Sequence, residues 1–215
     1  MANQGTVGNQ AQGGIGKGAA ADERLDPSAC LVTVDGHAKY QETLFTGNTY
    51  LASNQAAGAL TGLATTVTGY CITNPVGSGK NLVMIDACIA LATAPAGAAT
   101  LGYAYNTSAT AVTHSAAETV RNAFLLGNGT QTSIPLASVA KVDNSSTTPT
   151  AGVAIRGIGG GPVASSSIAP AFIMDPLDGK IILSPGSYMH LFFLTTAISA
   201  LTSMTWEEVG LTTVR

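Results

Sequence analysis

The stretch that decides the fold is Asp178-Gly-Lys-Ile-Ile-Leu-Ser-Pro-Gly-Ser-Tyr-Met-His-Leu-Phe-Phe-Leu194, together with Ser203-Met-Thr-Trp-Glu-Glu-Val209. Two tight-turn signals, Asp178-Gly179 and Pro185-Gly186, divide the first segment. The pattern therefore predicts β-strands over residues 180–183, 187–195 and 203–209.

The middle strand is apolar on both faces. Tyr188, His190, Phe192 and Leu194 alternate with a second apolar set, so we expect both faces to be covered. Trp206 is the only tryptophan and lies in the third strand, and an aromatic side chain of that size usually anchors a core. We therefore predict that Tyr188, His190, Phe192 and Trp206 belong to the domain core or to a subunit interface.

The rest of the chain repeats this pattern of short strands. Roughly ten apolar or alternating runs are separated by Gly, Pro, Asn and Ser turns, and no strong helix pattern is visible. We predict an all-β protein, with a jelly-roll-like β-sandwich over residues 29–215 and an extended N-terminal arm over residues 1–28. A chain of 215 residues is long enough for one such domain and its arm.

The longest apolar strand is predicted over residues 81–93. Strict alternation places Val83 and Ile89 on one face of this strand, and Met84 and Cys88 on the other. Asp86 interrupts the second face, so we expect its carboxylate to lie at the mouth of a barrel or to accept a backbone N–H.

Charged residues are scarce. They make up 10% of the chain, against about 25% in ordinary soluble domains. A chain of this kind is expected to bury much of its surface in an assembly, or to have a neutral exterior rich in Ser and Thr. Residues 17–42 hold eight of the charged side chains. We therefore expect the partner-facing segment near the arm, and we expect the arm to be ordered by a neighbouring subunit.

Several classes of function lack their sequence signatures. The net charge is −3 and no basic run is present, which argues against direct binding to nucleic acid. Residues 1–18 lack the apolar run of a signal peptide. Residues 181–205 carry no charge, but Pro185-Gly186 and His190 interrupt them, so we expect no membrane span.

The cysteines and histidines do not form a recognisable site. Cys30, Cys71 and Cys88 lack paired spacing, and we expect them to be buried and reduced, as in a protein made in the cytoplasm. His37 and His114 are far from each other and from the histidine of the middle strand, so no metal-binding pair is visible.

Other candidate motifs also fail. Gly77-Ser-Gly-Lys80 resembles part of a phosphate-binding loop, but Asn81 replaces the hydroxyl residue and a strand follows, so we interpret it as a hairpin tip. Residues 157–161 are expected to form a mobile glycine loop. Glu207 and Glu208 point to opposite faces of a strand and cannot act as a pair. We predict no catalytic residues, no metal and no cofactor.

Two segments resemble a known group of proteins. Asn74-Pro-x-Gly-Ser-Gly-Lys-Asn-Leu-Val83 is similar to an element of tailed-bacteriophage structural proteins. Asp178-Gly-Lys-Ile-Ile-Leu-x-Pro-Gly-Ser-Tyr188, with Ser203-Met-Thr-Trp-Glu-Glu208, is similar to their C-terminal end. The chain thus resembles the jelly-roll capsid cement or decoration proteins.

This resemblance implies a place on the capsid surface of a virion, after synthesis in the host cytoplasm. It implies a homotrimer that binds the major capsid protein and stabilises the shell, with an arm that clamps across capsid subunits. Two other functions stay open: a tail, adaptor or fibre-associated protein, and a host-carbohydrate-binding module. Exposure of Tyr103 and Tyr105, which share one strand face, would favour the carbohydrate-binding module.

Overall fold

In the computed structural model, the described residues are 40, 43–44, 47–63, 66–67, 69–93, 99–107, 109, 112–124, 137–147, 151–161, 172–194 and 198–211. All but Tyr40 belong to one compact unit, Glu42–Arg215. The predictions for the arm at residues 1–28 and for Cys30 and His37 lie outside the described residues.

A helical turn at Thr43 and Leu44 leads into a succession of strands. The described strands are β1 (Thr49–Ser53), β2 (Gly58–Leu60), β3 (Thr66–Val67), β4 (Cys71–Thr73), β5 (Lys80–Leu91), β6 (Ala99–Asn106), β7 (Thr113–His114), β8 (Arg121–Asn122), β9 (Lys141–Asp143), β10 (Ser146–Thr147), β11 (Val153–Gly161), β12 (Phe172–Pro176), β13 (Ile182–Leu183), β14 (Tyr188–Phe193) and β15 (Ile198–Gly210).

The strands form two large antiparallel sheets and a small one. The seven-stranded sheet has the order β12-β5-β15-β1-β8, with β13 also beside β5 and β2 beside β15. The five-stranded sheet has the order β11-β6-β14-β4-β9, and the small sheet has the order β3-β10-β7. The prediction of an all-β sandwich is confirmed, while the jelly-roll strand order stays a prediction.

The core lies between the two large sheets. Met84 and Trp206 of the seven-stranded sheet pack in one cluster with Tyr103 and Leu191 of the five-stranded sheet. The ring of Trp206 stacks on that of Tyr50, with centroids 6.4 Å apart. The position predicted for Trp206 is therefore correct, and the physical reason is the burial of its large apolar area.

Strand β14 is covered on both faces, as its sequence predicts, because all six of its residues are buried. Leu191 and its alternate neighbours face the inter-sheet core. On the opposite face, Tyr188 packs with Cys71 and Val112. Leu194, predicted to continue this face, follows the end of the strand and is 39% exposed.

Strand β5 contradicts the predicted alternation. A register shift against β15 lies opposite Thr205 and Trp206, and it leaves Ile85 as an extra residue. Before the shift the even-numbered residues face the core, and after it the odd-numbered residues do. The reason is that one inserted residue moves every later side chain to the opposite face. Met84 therefore points into the core, whereas Cys88 and Asp86 point outward.

Two predicted loops differ from the structure. Residues 74–79 form a turn, as predicted, but they join β4 and β5, which belong to different sheets, so they form a crossover and not a hairpin tip. Residues 157–161, predicted as a mobile loop, belong to β11, which pairs with β6 through two register shifts. In this second segment, tertiary pairing overrides the turn preference of glycine.

Candidate functional site

The side chains predicted as core or interface residues are all buried within one chain. Tyr188, His190 and Trp206 have no exposed area, and Phe192 is 3% exposed. The ring of Phe192 fits because Gly102 lies beneath it, where an added Cβ atom would stand 2.7 Å from Cζ. Burial inside the single chain gives these four residues a core role.

Three residues with reactive side chains stand in one row across the five-stranded sheet. His190 of β14 pairs with Cys71 of β4, and Cys71 pairs with Asp143 of β9. Directly opposed residues face the same side of a sheet. The row therefore has the residue types of a nucleophile, a base and an orienting acid.

The environment of this row is structural. Cys71 is fully buried, and burial raises the pKa of its thiol to about 11. A nucleophilic cysteine needs the opposite shift, because the thiolate is the reactive form. The Asp143 carboxylate accepts the backbone N–H groups of Ala116 and Ser145, so it closes a turn, and the imidazole beside it is that of His114 and not that of His190.

His190 is a buried histidine with one ring nitrogen satisfied. Its Nδ1 lies 3.1 Å from the Leu191 carbonyl oxygen, to which it can donate. Its Nε2 has no hydrogen-bond partner among the described residues. Gly152 leaves room for this edge of the ring, since an added Cβ there would lie 2.5 Å from Nε2. Burial lowers the pKa of His190, although the Leu191 carbonyl opposes the shift.

This burial predicts a pH dependence of stability. The unfolded chain binds a proton at His190 near the ordinary pKa of 6.5, and the folded chain binds it only at lower pH. The contribution of neutral His190 is therefore complete above pH 6.5 and declines as the pH falls, by at most about 1.4 kcal/mol per pH unit. His190→Asn should flatten the fall in unfolding free energy between pH 6.5 and pH 5, as measured by urea titration.

His114 provides the control for this measurement. Burial also lowers its pKa, but the nearby Asp143 carboxylate opposes the shift, and its Nδ1 is 3.6 Å from Asp143 Oδ2. Because the His114 side chain keeps 19% exposure whereas His190 has none, His114→Asn should leave most of the acid-side slope in place. An unchanged slope in His190→Asn would contradict the prediction.

Glu208 of β15 is a buried carboxylate with three hydrogen-bond donors. Its carboxylate is inaccessible and accepts hydrogen bonds from Lys80 Nζ at 2.8 Å, Ser138 Oγ at 2.6 Å and the Val139 N–H at 2.8 Å. The backbone N–H of Glu208 donates to the Asn48 carbonyl. One side chain thus ties the start of β5 and the segment before β9 to the last strand.

The same hydrogen-bond network gives Lys80 a structural role. Its ammonium group binds the Glu208 carboxylate, and the preceding crossover is fixed by Asn74, whose Nδ2 donates to the Lys80 and Leu183 carbonyls at 2.8 Å. Ser78 donates to Asn74 Oδ1 at 2.6 Å. The apparent phosphate-loop residues are therefore part of a structural joint. The sequence shows the lysine and the carboxylate but not their partnership, because 128 residues separate them.

An opening lies between residues of β11 and β6 and the start of β13. It has a volume of about 440 Å³ and is lined by Arg156 and Lys180 among Tyr105 and aliphatic side chains. Arg156 Nη2 donates to Asp175 Oδ1 at 2.7 Å, which joins the facing strands β11 and β12. We call this opening the Arg156 cleft. Sequence reasoning missed it because its residues come from three separate segments.

The outward side of the seven-stranded sheet exposes a flat apolar surface. Phe172 of β12 is 63% exposed, Met174 of β12 is 59% exposed, and Leu201 of β15 is 44% exposed. Ala90 of β5 pairs with Phe172 on one side and with Leu201 on the other, so the three residues form one row across the sheet. Cys88 of β5 pairs in the same way with Met174 and Ser203. These residues form what we call the apolar outer face, which consists of Phe172, Met174, Ala90, Cys88, Leu201 and Ser203.

Few charges border this face. The next row contains Asp86 and Thr205, with Arg121 of β8 further along the sheet. Exposed apolar side chains that adjoin one another mark interaction surfaces on soluble proteins. The alternation of exposed Phe172 and Met174 with partly buried Ile173 and buried Asp175 was the available sequence signal, but no strand was predicted over these residues.

Further predicted residues have the following positions. Tyr103 is inaccessible, and Tyr105 is half-buried at the Arg156 cleft, so these rings do not form an exposed pair. Glu207 faces outward and Glu208 inward, so the prediction that they point to opposite faces of the strand is confirmed. Within the described part of the chain, no group of three His, Cys, Asp or Glu side chains is placed to hold a metal ion. The same part contains no helix that is long and apolar enough to span a membrane.

Together, these features define an all-β sandwich with polar clusters that brace its strands and with one exposed apolar sheet face. Comparison of the chain with known protein families, with curated proteins and with solved structures gives no match.

Proposed function

We propose that the protein is a bacteriophage virion structural protein, a capsid cement or decoration protein that binds and stabilises the major capsid shell. It acts as a homotrimer on the capsid surface, after synthesis in the host cytoplasm. It works by binding alone, without catalysis, a cofactor, nucleic acid or a membrane. The observation that carries this proposal is the apolar outer face, with Phe172 at 63% exposure.

Exposure of the apolar outer face to water costs free energy that a bound partner would recover. Burying apolar area stabilises an interface by about 25 cal/mol per Å², and a partner that binds only the assembled shell stabilises that shell by mass action. A flat sheet face with few charges suits a large neutral contact. The scarcity of charged residues supports the same reading, because a charge-poor surface favours association.

The resemblance of residues 74–83, 178–188 and 203–208 to tailed-phage structural proteins supplies the virion setting. A tail, adaptor or fibre-associated position uses the same kind of face, and imaging of virions distinguishes these positions from the capsid surface. The carbohydrate-binding alternative is not favoured, because Tyr103 is buried and offers no stacking platform.

The test measures binding to capsid shells assembled without this protein from the phage that encodes it. The wild-type chain should co-sediment saturably with the shells. The double variant Phe172→Lys/Met174→Lys should bind at least tenfold more weakly, a loss of about 1.4 kcal/mol or more. Its thermal unfolding should change little, because both side chains are already exposed in the folded chain.

Val76 supplies a matched control. It is 63% exposed, as Phe172 is, but it lies in the crossover between β4 and β5. Val76→Lys should leave binding to shells unchanged. Absence of the protein from purified virions, or equal binding by the double variant, would contradict the proposal.

A further inference from the structure

The Arg156 cleft combines two cations with an apolar wall. Arg156 and Lys180 line it together with Tyr105, Ile155 and Ile182. Its volume of about 440 Å³ lies in the range of binding sites, and a few polar groups among apolar ones are typical of such sites. The size suits one or two side chains of a partner.

Both cations are presented by fixed elements. The Asp175 carboxylate holds one arm of the Arg156 guanidinium at 2.7 Å. A guanidinium has five N–H donors, so others stay available to a ligand. The Lys180 ammonium group is exposed and has no ion-pair partner among the described residues.

The backbone that carries Lys180 is a tight turn. Asp178 and Gly179 have φ values of 48° and 77°, and the Lys180 N–H donates to the Leu177 carbonyl at 2.8 Å. The N–H groups of Asp178 and Gly179 donate to carbonyls of β5 at 2.8 Å. The turn therefore holds the base of the lysine side chain beside the cleft.

The cleft also adjoins a strand edge. Within the described sheets, β11 is the last strand of its sheet and pairs only with β6. An edge strand offers backbone N–H and C=O groups to an extended segment of another chain. Cations, aliphatic side chains and edge backbone groups together fit an acidic peptide that also carries an aliphatic residue.

Residues 175–178 and 207–209 of the chain also combine carboxylates with an aliphatic residue, but Asp175 and Glu208 already bind Arg156 and Lys80. A further segment with this chemistry precedes the described residues. Residues 22–26 read Asp-Glu-Arg-Leu-Asp, with three carboxylates around one leucine. We propose that the Arg156 cleft of one copy binds residues 22–26 of a second copy. The carboxylates pair with Arg156 and Lys180, and Leu25 packs on the aliphatic wall. This inference rests on the self-association that the proposed function includes.

Zero-length cross-linking tests whether residues 22–26 of one copy bind beside Lys180 of another copy. A carbodiimide activates carboxylates, and a neighbouring lysine amine then forms an amide bond with loss of water. The experiment uses the full-length chain as an equal mixture of ordinary and ¹⁵N-labelled copies, analysed by mass spectrometry after digestion. We expect Lys180 to be linked to Asp22, Glu23 or Asp26 in peptides that join a light chain to a heavy chain.

Two lysines serve as internal controls. Lys80 binds the Glu208 carboxylate, which is inaccessible to the carbodiimide, so Lys80 should give no link to Glu208. Lys141 is exposed on β9, at the opposite edge of the five-stranded sheet from β11, and should give no link to residues 22–26. The absence of any link from Lys180 to residues 22–26 would overturn the inference, and so would Lys180 links confined to chains of one isotope.

Charge reversal gives an independent readout. Lys180→Glu should raise the dissociation constant of the oligomer at least tenfold in analytical ultracentrifugation, and Asp22→Lys/Glu23→Lys in the same chain should restore it. Lys141→Glu should leave it unchanged. If Lys180→Glu has no effect while Phe172→Lys/Met174→Lys still abolishes binding to shells, the inference fails and the proposed function stands.

Discussion

Trp206→Ala is expected to lower the free energy of unfolding by about 3–5 kcal/mol. Trp206 has no exposed area, stacks on Tyr50 and belongs to the cluster that joins the two large sheets. Truncation to alanine leaves a cavity that the antiparallel strands on both sides can fill only in part. Urea unfolding monitored by circular dichroism measures the loss.

Leu201→Ala is the matched control for this prediction. Leu201 lies on the same strand but points outward and is 44% exposed. Its truncation should change the unfolding free energy by about 0.5 kcal/mol or less. If the melting temperature of Trp206→Ala depended more strongly on protein concentration than that of the wild type, an interface role would replace the core role.

Glu208→Ala is expected to cost about 3 kcal/mol of folding stability, because removing one member of a buried charged pair leaves the other uncompensated. The substitution leaves the Lys80 ammonium group, the Ser138 hydroxyl and the Val139 N–H without their hydrogen-bond acceptor. The Lys80 side chain keeps 25% exposure and can recover some hydration, which places the cost at the lower end of the usual range.

The neighbouring residue Glu207 provides a matched control for the Glu208 substitution. Glu207 has the same side chain one residue earlier but faces outward and is half-buried. Glu207→Ala should change the unfolding free energy by about 0.5 kcal/mol or less. Equal effects of the two substitutions would show that the Glu208 network is not a brace between strands.

In the C-terminal strands, sequence patterns predicted a turn, a covered strand and a core residue. The turn at Asp178-Gly179 has positive φ at both central residues, as the residue pair predicts. The apolar residues on both faces of β14 correctly predicted a covered strand, and Trp206 correctly predicted the core. These features are local, because each depends on side-chain period or on turn geometry that a few residues fix.

The candidate sites were predicted less well than the fold. Lys80 was recognised only as a failed nucleotide motif, and Glu208 only as half of a carboxylate pair that cannot act together. Arg156 was not singled out, and Lys180 appeared only within a predicted strand. Each gains its role from a partner on a distant segment, as Arg156 does from Asp175 and Lys80 from Glu208.

The sequence by itself determined the class of fold, the C-terminal turns and the burial of the central strand, because period and composition are properties of short segments. The tertiary structure alone decided which side chains of β5 face outward. The extra residue at Ile85 in β5 moves Cys88 and Asp86 to the outer face, and a strict alternation cannot anticipate it. Register shifts of this kind arise from pairing with another strand, so they exist only once the chain has brought distant strands together.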